Sequence, residues 1–492
     1  MLRRSIFLLL PAALLSQAAG NEQLDRIIEE TRRAFEVPGI AVAVVHKDSV
    51  IYAKGFGVKE LGSTAAVTTG TRFAIGSTTK AFTTAAMGLL VDDGKMQWDD
   101  AVRKHVPYFR LRDPLADANV TLRDIVSHRT GLSRHDVLWY NSPWTREEVI
   151  RKIGLVELTK PFRSAYQYQN IMFLTAGQAV GLTSGEGWEG FVRARLLAPL
   201  GMNNTDFSAN DVVKAPDYSQ PHENREEKVT RIPWRNIDNV GPAGSINSSV
   251  DDLARWVRMQ LNGGMFEGKR ILKEATLRET HTPQMPIRMD DPNMRTVNAG
   301  TNMMAYGLGW TIQDYRGHHM VSHGGAIDGF RAQVTLLPND GYGIVILANL
   351  GGNNMPECLR ASIADQLLGL SEMGWIAKYQ DVARKGEERT KKQQAEREGK
   401  RQKDTKPSHA LAAYGGVYGH AAYGEARVGM ADGRLELQWS NWKAPLEHFH
   451  FDTFRIPGGH TPLRDALVQF RLKDTGEVES VELLDQTFRR KP

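Results

Sequence analysis

A serine and a lysine three residues apart, Ser77 and Lys80, open a stretch with the pattern of a buried helix. On a helix, positions three apart share a face, so the lysine amine can reach the Ser77 hydroxyl. The helix N-terminus favours negative charge developing on Ser77, and apolar surroundings disfavour the charged form of the lysine. The pair therefore has the residue types of a nucleophile and its proton acceptor. The stretch follows Gly76, ends at Gly94, and has Phe82, Ala85, Ala86, Leu89 and Leu90 at core spacing.

The same Ser-x-x-Lys spacing occurs a second time, at Ser440 and Lys443. A chain of this length contains about one such motif by chance, so the motif alone carries little information. Ser440 ends the strand-like stretch "RLELQW", and on a strand side chains three apart point to opposite faces. We therefore predict that Ser77 and Lys80 form the reactive pair and that Ser440 does not.

Two further motifs each occur once. Tyr168-Gln169-Asn170 is the only Tyr-x-Asn, and His323-Gly324-Gly325 is the only His-x-Gly. The second lies on a predicted strand. Taken singly, Tyr168 is more often a core aromatic and His323 more often structural. The three motifs in this order favour a catalytic interpretation of all of them.

This order of motifs resembles the serine β-lactamase and penicillin-binding-protein superfamily. It resembles more closely the class C-like branch with D-aminopeptidases, DD-carboxypeptidases and esterases. Flanking stretches such as "VTLRDIVSHRTGLSRHD" and "LLPNDGYGIVILANL" read like that family in the same order, over residues 21–370. The part with "YGGVYG" and "LEHFHFDTF" is similar to the β-barrel appended to some D-amino-acid-specific serine peptidases.

The resemblance implies a role for each motif residue. Ser77 is the acylated nucleophile, and Lys80 accepts or relays its proton. Tyr168 is the second acid/base group, which protonates the leaving group and assists deacylation. Asn170 holds Lys80 and the substrate amide by hydrogen bonds. How Lys80 and Tyr168 divide the proton transfers is left open by the sequence.

The strand motif is implied to lie opposite these residues. His323 occupies its first position, and Gly324 and Gly325 allow a substrate backbone to approach closely. The backbone N–H groups of Ser77 and Ala326 form the implied oxyanion hole.

The motif departs from many β-lactamases and penicillin-binding proteins, which have a lysine at the position of His323. A lysine is a permanent cation for a substrate carboxylate, whereas histidine is mostly neutral at pH 7. The sequence therefore favours an exported serine hydrolase acting on peptides or amides that contain D-amino acids, or on esters. A class C-like β-lactamase is the alternative enzyme. A catalytically idle cell-wall-binding protein is the alternative outside enzymes.

The elements that must position these residues suggest one sheet built from both ends of the domain. Residues 39–58 read as a hairpin turning at Lys47-Asp48-Ser49. A helical middle follows, with one helix capped by Ser248 or Ser249. Strand patterns return near residue 305, with a hairpin turn at 339–341, Asn-Asp-Gly. With the resemblance, this predicts an α/β fold: a β-lactamase-like sandwich of antiparallel sheet and flanking helices, plus a helical subdomain.

The N-terminal residues 1–20 have the order of a secretory signal peptide. Arg3 and Arg4 precede an apolar run, and small residues follow it. We expect an exported protein, periplasmic or secreted. No other stretch reaches membrane-spanning length, so we predict no transmembrane segment.

The rest of the chain divides into three segments that differ in composition and hydrophobic pattern. Residues 21–370 form the predicted hydrolase domain, and residues 371–410 a charged linker that is either disordered or a solvated helix. Residues 411–492 contain short alternating strands with turns at Asp432-Gly433 and Thr475-Gly476. This texture predicts a small all-β domain, a barrel or a sandwich. The resemblance described above makes a lipocalin-like barrel the expected form.

The net charge of +5 does not indicate a nucleic-acid partner. The tract from Arg384 to Lys406 holds ten Lys or Arg and five Asp or Glu, and so carries all of that charge. It is a mixed-charge tract without interleaved aromatics, not a basic binding face. We expect a small-molecule substrate, no nucleic acid, and leave a homo-oligomer open.

We predict no metal and no cofactor. His448 and His450 share a strand face, but a structural role is favoured over a metal site. His318 and His319 point to opposite faces of a strand, and no HExxH motif is present. Cys358 is the single cysteine, which excludes an internal disulfide, and it has the pattern of a packed small residue rather than a nucleophile.

Overall fold

The computed structural model describes residues 10–458 and 463–492, with side chains from Gly20 onward. The predicted signal peptide, residues 1–20, lies outside the described residues except for the backbone of its second half. The chain forms two compact units. The first comprises residues up to Asp100, Thr121–His128 and Ala176–Arg384, and the second Ala101–Val120, Arg129–Thr175 and Lys385–Pro492.

The first unit is built around an eight-stranded sheet. In chain order its strands are β1 (Gly39–His46), β2 (Ser49–Gly57), β3 (Met285–Pro286), β4 (Met304–Tyr306), β5 (Thr311–Tyr315), β6 (His318–Ile327), β7 (Phe330–Leu337) and β8 (Tyr342–Ala348). The order across the sheet is β2-β1-β8-β7-β6-β5-β4-β3, and every pairing is antiparallel. The predicted sheet from both ends of the domain is confirmed, because β1 pairs with β8 from Ile40 opposite Ala348 to His46 opposite Tyr342.

Fifteen helices accompany the strands in the described part of the chain. They are α1 (Leu10–Ala34), α2 (Thr79–Asp92), α3 (Val102–His105), α4 (Pro114–Asn119), α5 (Leu122–Ile125), α6 (Arg146–Ile153), α7 (Asn170–Ser184), α8 (Gly187–Val192), α9 (Ala198–Leu200), α10 (Ala209–Val212), α11 (Val250–Leu261), α12 (Glu274–Thr280), α13 (Pro292–Val297), α14 (Met355–Leu367) and α15 (Trp375–Gly399). Short two-stranded ribbons pair Phe73–Ala74 with Asn247–Ser248, His222–Arg225 with Lys228–Arg231, and Met265–Phe266 with Lys269–Arg270.

Both faces of the sheet are covered by helices. Alternate residues of β1 (Ile40, Val42, Val44) join a core with residues of α1 and α14. Helix α11 packs on β1 and β8 from the other face. Because side chains alternate along a strand, β1 is buried at all but its last residue. Ser249 caps α11, accepting from the Asp252 N–H, which confirms one of the two predicted caps.

The second unit contains a closed barrel of eight antiparallel strands. These are β9 (Gly416–His420), β10 (Gly424–Ala431), β11 (Arg434–Trp439), β12 (Trp442–His450), β13 (Thr453–Arg455), β14 (Leu467–Leu472), β15 (Val478–Leu483) and β16 (Gln486–Arg490). Strand β9 pairs with both β10 and β16, which closes the sheet. Alternate residues of β11, Leu435, Leu437 and Trp439, are buried. The α/β sandwich followed by an all-β barrel is therefore confirmed.

Most of the charged segment predicted at residues 371–410 forms helix α15. Of the two predicted alternatives, disorder or a solvated helix, the structure has the helix. Its buried residues are Trp375 and Tyr379, at its start. Cys358 is buried in α14, and burial raises the pKa of its thiol to about 12, so it is not a thiolate near neutral pH. Among the residues described, no helix is long and apolar enough to cross a membrane.

Candidate active site

The reactive pair predicted from the sequence lies at the start of α2. A single 3₁₀ turn, Gly76–Thr78, leads directly into this helix. The Nζ atom of Lys80 lies 3.0 Å from Ser77 Oγ. Lys80 is fully buried, as is nearly every residue of α2. A helix that is buried all round is held rigidly by its packing, here including the Phe82 ring stacked on Trp256 at 4.0 Å. The serine and its amine neighbour are therefore held by the core of the first unit.

A second segment fixes the lysine from the other side. Lys80 Nζ donates to the carbonyl oxygen of Ala243 at 2.8 Å. The neighbouring Pro242 carbonyl accepts from Thr83 Oγ1 at 2.7 Å. Sequence reasoning missed the role of Ala243. A backbone carbonyl leaves no side-chain signal in a sequence, so only the fold could identify it.

Strand β6 passes close to the backbone that leads into Ser77. Gly76 has a φ of 51°, and a Cβ on it would lie 2.7 Å from the Ala326 backbone nitrogen. A Cβ on Gly325 would lie only 1.9 Å from the Ile75 carbonyl oxygen. Side chains cannot fit at this crossing, so glycine is required both in the turn before α2 and on β6. The crossing brings the backbone just before Ser77, at Ile75 and Gly76, against Gly325 and Ala326. An oxyanion hole made by the N–H groups of Ser77 and Ala326 needs these two segments to lie close together.

His323 is a neutral, buried residue of β6. Its Nδ1 lies 2.7 Å from the carbonyl oxygen of Gly324, so Nδ1 carries a proton. Its Nε2 then accepts from the Tyr306 hydroxyl at 2.9 Å. Burial, and secondarily the nearby Lys80, lowers the pKa of His323 from 6.5 to about 3. This strand position therefore carries no permanent cation. Tyr306 was missed by sequence reasoning, because its role follows from the pairing of β4, β5 and β6.

Tyr168 and Asn170 belong to the second unit, where a compact hydrogen-bonded loop holds them. Asn170 is the first residue of α7, and its Nδ2 donates to Asp136 Oδ1 at 2.9 Å. The buried Gln169 side chain donates to the Ser133 carbonyl oxygen at 2.5 Å. The Arg134 guanidinium lies 5.1 Å from the centre of the Tyr168 ring. The roles of Tyr168 and Asn170 toward Ser77 and Lys80 stay predictions.

The second Ser-x-x-Lys motif is arranged differently. Ser440 sits in the turn between β11 and β12 with a φ of 55°, and its hydroxyl donates to the Asn141 carbonyl oxygen at 3.3 Å. Lys443 is largely exposed and pairs with Glu436 at 3.0 Å. Serine and lysine therefore make separate contacts here, in contrast to Ser77 and Lys80.

Fold and motifs together define a β-lactamase-type hydrolase scaffold. Residues 24–368 match the sequence model of the Beta-lactamase family, which covers well over half of the chain. The chain belongs to this family, and the resemblance inferred from its motifs is confirmed. Residues 400–491 match a Domain of unknown function (DUF3471).

Among individual proteins, the chain is similar to two fungal hydrolases. It is 30% identical to the unguisins hydrolase ungD of Aspergillus violaceofuscus over 451 residues, which cover 84% of this chain and 77% of that protein. It is also 30% identical to the unguisins hydrolase ungD' of Aspergillus campestris, over 75% of this chain and 70% of the relative.

Solved structures show the same fold. The octameric penicillin-binding protein homologue of Pyrococcus abyssi superimposes with a TM-score of 0.62 at 22% identity, covering 95% of this chain and 99% of its own. The D-amino acid amidase of Ochrobactrum anthropi SV3 superimposes with a TM-score of 0.60 at 20% identity, over 71% of this chain and 98% of its own. A D-stereospecific amidohydrolase from Streptomyces sp. gives 0.57 at 20% identity, over 71% and 99%.

Proposed function

We propose that this chain is an exported serine hydrolase that forms an acyl-enzyme on Ser77. Its proposed substrates are peptides or amides that contain D-amino acids, with esters second. The observation that carries the proposal is the 3.0 Å separation of Lys80 Nζ from Ser77 Oγ at the start of a buried helix. A serine hydroxyl is a weak nucleophile until an adjacent group takes its proton, and an amine in contact with it can do so.

The proposed reaction has two halves. Ser77 Oγ bonds to the substrate carbonyl carbon, and its proton passes to Lys80 or Tyr168. The backbone N–H groups of Ser77 and Ala326 stabilise the oxyanion. The C–N or C–O bond then breaks as Tyr168 protonates the leaving amine or alkoxide. Water attacks the acyl-enzyme by the reverse route, which releases the carboxylic acid and restores the Ser77 hydroxyl.

The remaining predicted residues orient the substrate. Asn170 binds the substrate amide and Lys80, and the strand of His323, Gly324 and Gly325 lies along the substrate backbone. Glycines leave space for that approach.

Two observations support the choice of substrate class. The neutral His323 offers no permanent charge to a substrate carboxylate. Two proteins of the same fold are, by name, a D-amino acid amidase and a D-stereospecific amidohydrolase. The family match also makes a class C-like β-lactamase the second candidate, against which the neutral histidine weighs. An idle cell-wall-binding protein would have no chemical need for the contact between Ser77 and Lys80.

The test compares the purified protein with Ser77→Ala and Ser440→Ala on three substrates: a D-alanyl anilide, a short-chain nitrophenyl ester and a chromogenic cephalosporin. We expect Ser77→Ala to lose at least about a thousandfold in kcat/KM. The Ser440→Ala protein, which removes the matched serine, should keep its activity. Turnover by Ser77→Ala equal to that of the wild-type protein on every substrate would refute the assignment of Ser77 as nucleophile. Rapid turnover of the cephalosporin alone would establish the β-lactamase instead.

Export and assembly are tested on the expressed protein itself. We propose removal of about residues 1–20, so the intact mass of protein from the periplasm or medium should lack them. The octameric Pyrococcus homologue motivates a homo-oligomer here as well. Light scattering should then give a multiple of the subunit mass, and a monomer would contradict this part of the proposal.

A further inference from the structure

One barrel residue reaches the Ser133–Asp136 loop, which is hydrogen-bonded to the Tyr-x-Asn motif. Tyr423 lies in the turn between β9 and β10 and is 3% exposed. The turn is held by His420, whose Nδ1 accepts from the backbone N–H groups of Ala422 at 3.1 Å and Tyr423 at 3.2 Å. Trp439 Nε1 donates to the Tyr423 carbonyl oxygen at 2.9 Å. The barrel therefore presents the Tyr423 hydroxyl in a fixed position.

That hydroxyl contacts a histidine in a rare backbone conformation. Tyr423 Oη and His135 Nδ1 are 2.5 Å apart, and His135 Nε2 lies 2.9 Å from Ser133 Oγ. His135 has a φ of 46°, in the left-handed region that residues with a Cβ occupy at an energetic cost. Such a conformation persists where surrounding contacts hold it. Both ring nitrogens of His135 are engaged, one of them by the barrel.

From His135 the contacts continue to the motif on both sides. Two residues before His135, the Ser133 carbonyl oxygen accepts from Gln169 Nε2 at 2.5 Å. The following Asp136 accepts from Asn170 Nδ2 at 2.9 Å, while its other oxygen accepts from Arg134 Nε at 2.6 Å. Arg134 in turn lies against the Tyr168 ring. A displacement of His135 would therefore move the groups that hold Tyr168 and Asn170.

We propose that the C-terminal barrel is part of the catalytic apparatus, with Tyr423 as a positioning residue that holds the Ser133–Asp136 loop and, through it, Tyr168 and Asn170. This inference rests on the proposed function, in which Tyr168 protonates the leaving group. Two further hydrogen bonds join the barrel to residues 129–175. Ser440 Oγ donates to the Asn141 carbonyl oxygen, and Lys152 Nζ donates to the Ala422 carbonyl oxygen. Loss of the Tyr423 hydroxyl should therefore leave the unit assembled and change only the alignment of the loop.

The test variant is Tyr423→Phe, which keeps the ring and removes the hydroxyl. Tyr418→Phe is the matched control: it removes a buried barrel hydroxyl that donates to the Tyr414 carbonyl oxygen, an acceptor outside residues 129–175. A second variant, His135→Asn, shortens the side chain away from Tyr423, and asparagine tolerates the left-handed conformation. Activity is measured on the full chain with a D-alanyl anilide and a nitrophenyl ester.

The two substrates separate positioning from a general structural effect. An anilide needs its leaving nitrogen protonated, whereas a nitrophenolate leaves without a proton. We expect Tyr423→Phe to lower kcat on the anilide about tenfold with KM unchanged, and to lower kcat on the ester less than twofold. His135→Asn should do the same, and the double variant should lose no more than the worse single variant. Equal losses on both substrates, additive losses, or the same loss in Tyr418→Phe would overturn the proposal.

Hydrogen exchange gives a readout that does not need turnover. In Tyr423→Phe, amides in residues 131–141 and 166–172 should exchange faster than in the wild-type protein and in Tyr418→Phe. Unchanged exchange in a folded Tyr423→Phe protein would overturn the inference. If the wild-type protein has no Ser77-dependent turnover, the proposed function fails, and the exchange result still decides whether the barrel positions this loop.

Discussion

Replacing Gly325 by alanine should break the crossing between β6 and the backbone that leads into Ser77. The new Cβ would lie 1.9 Å from the Ile75 carbonyl oxygen, 2.9 Å from its carbon and 3.2 Å from the Ala332 Cβ. Both nearest atoms are backbone, so no side-chain rotation relieves the contact. Reaching an ordinary separation requires β6 to retreat from the start of α2 by about 1 Å. Ala326, the next residue of β6, would move with it.

A shift of this size acts on the proposed oxyanion hole, whose two N–H groups belong to Ser77 and Ala326. Misplacing one oxyanion donor costs about 10²- to 10³-fold in kcat. We therefore expect Gly325→Ala to lower kcat on the nitrophenyl ester about a hundredfold. Overpacking of a buried site also destabilises a protein by about 1–3 kcal/mol, so the melting temperature should fall by several degrees.

The neighbouring Gly324 is the matched comparison. A Cβ there would lie 3.2 Å from Gln333 Oε1 and 3.3 Å from Glu357 Oε1, the ends of flexible side chains. These two side-chain oxygens can move away by a few tenths of an ångström, so Gly324→Ala should lose less than about threefold in kcat. Steady-state kinetics, burst titration of acyl-enzyme and thermal melting are measured on both variants. Wild-type kcat in a folded Gly325→Ala protein, or equal losses in the two variants, would refute the reasoning.

Three further predictions concern the buried polar groups of the site. Lys80→Met should abolish labelling of Ser77 by a fluorophosphonate while the protein stays folded by circular dichroism; retained labelling would exclude Lys80 as the proton acceptor. Tyr306→Phe removes the donor to His323 Nε2 and should cost about 1–3 kcal/mol in urea unfolding, and an unchanged midpoint would show that this bond adds no stability. The folded-state pKa values of His323 and His281 lie near 3, below the ordinary 6.5, so the unfolded chain binds more protons between these values. Stability should therefore fall as pH drops from about 6.5 toward 3. His323→Gln should reduce the slope of the unfolding free energy against pH without removing it. An unchanged slope would contradict a buried, neutral His323.

The family, the main elements and the contact between Ser77 and Lys80 could be predicted because their signals are local. A helix start after Gly76 puts Ser77 and Lys80 on one face through backbone geometry alone, and the structure has them 3.0 Å apart. The turn signals at 339–341 and at Asp432-Gly433 were read correctly for the same reason, since the positive φ of Gly341, Asp432 and Gly433 favours glycine, asparagine or aspartate. The short alternating pattern of the C-terminal strands predicted an all-β domain, a barrel or a sandwich, and the tertiary structure closes it as a barrel.

The partners of these residues were decided by tertiary structure. The acceptor for Lys80 lies 163 residues away in sequence at Ala243, and the barrel partner of His135 lies 288 residues away at Tyr423. A backbone carbonyl or a turn tyrosine has no periodic or motif signal, because its role depends on where the fold places it. The grouping of Arg129–Thr175 with the C-terminal barrel is of the same kind. Spacing along the chain thus identified the candidate residues, because contacts within one helical turn follow from backbone geometry. Long-range packing decided which groups hold those residues in place.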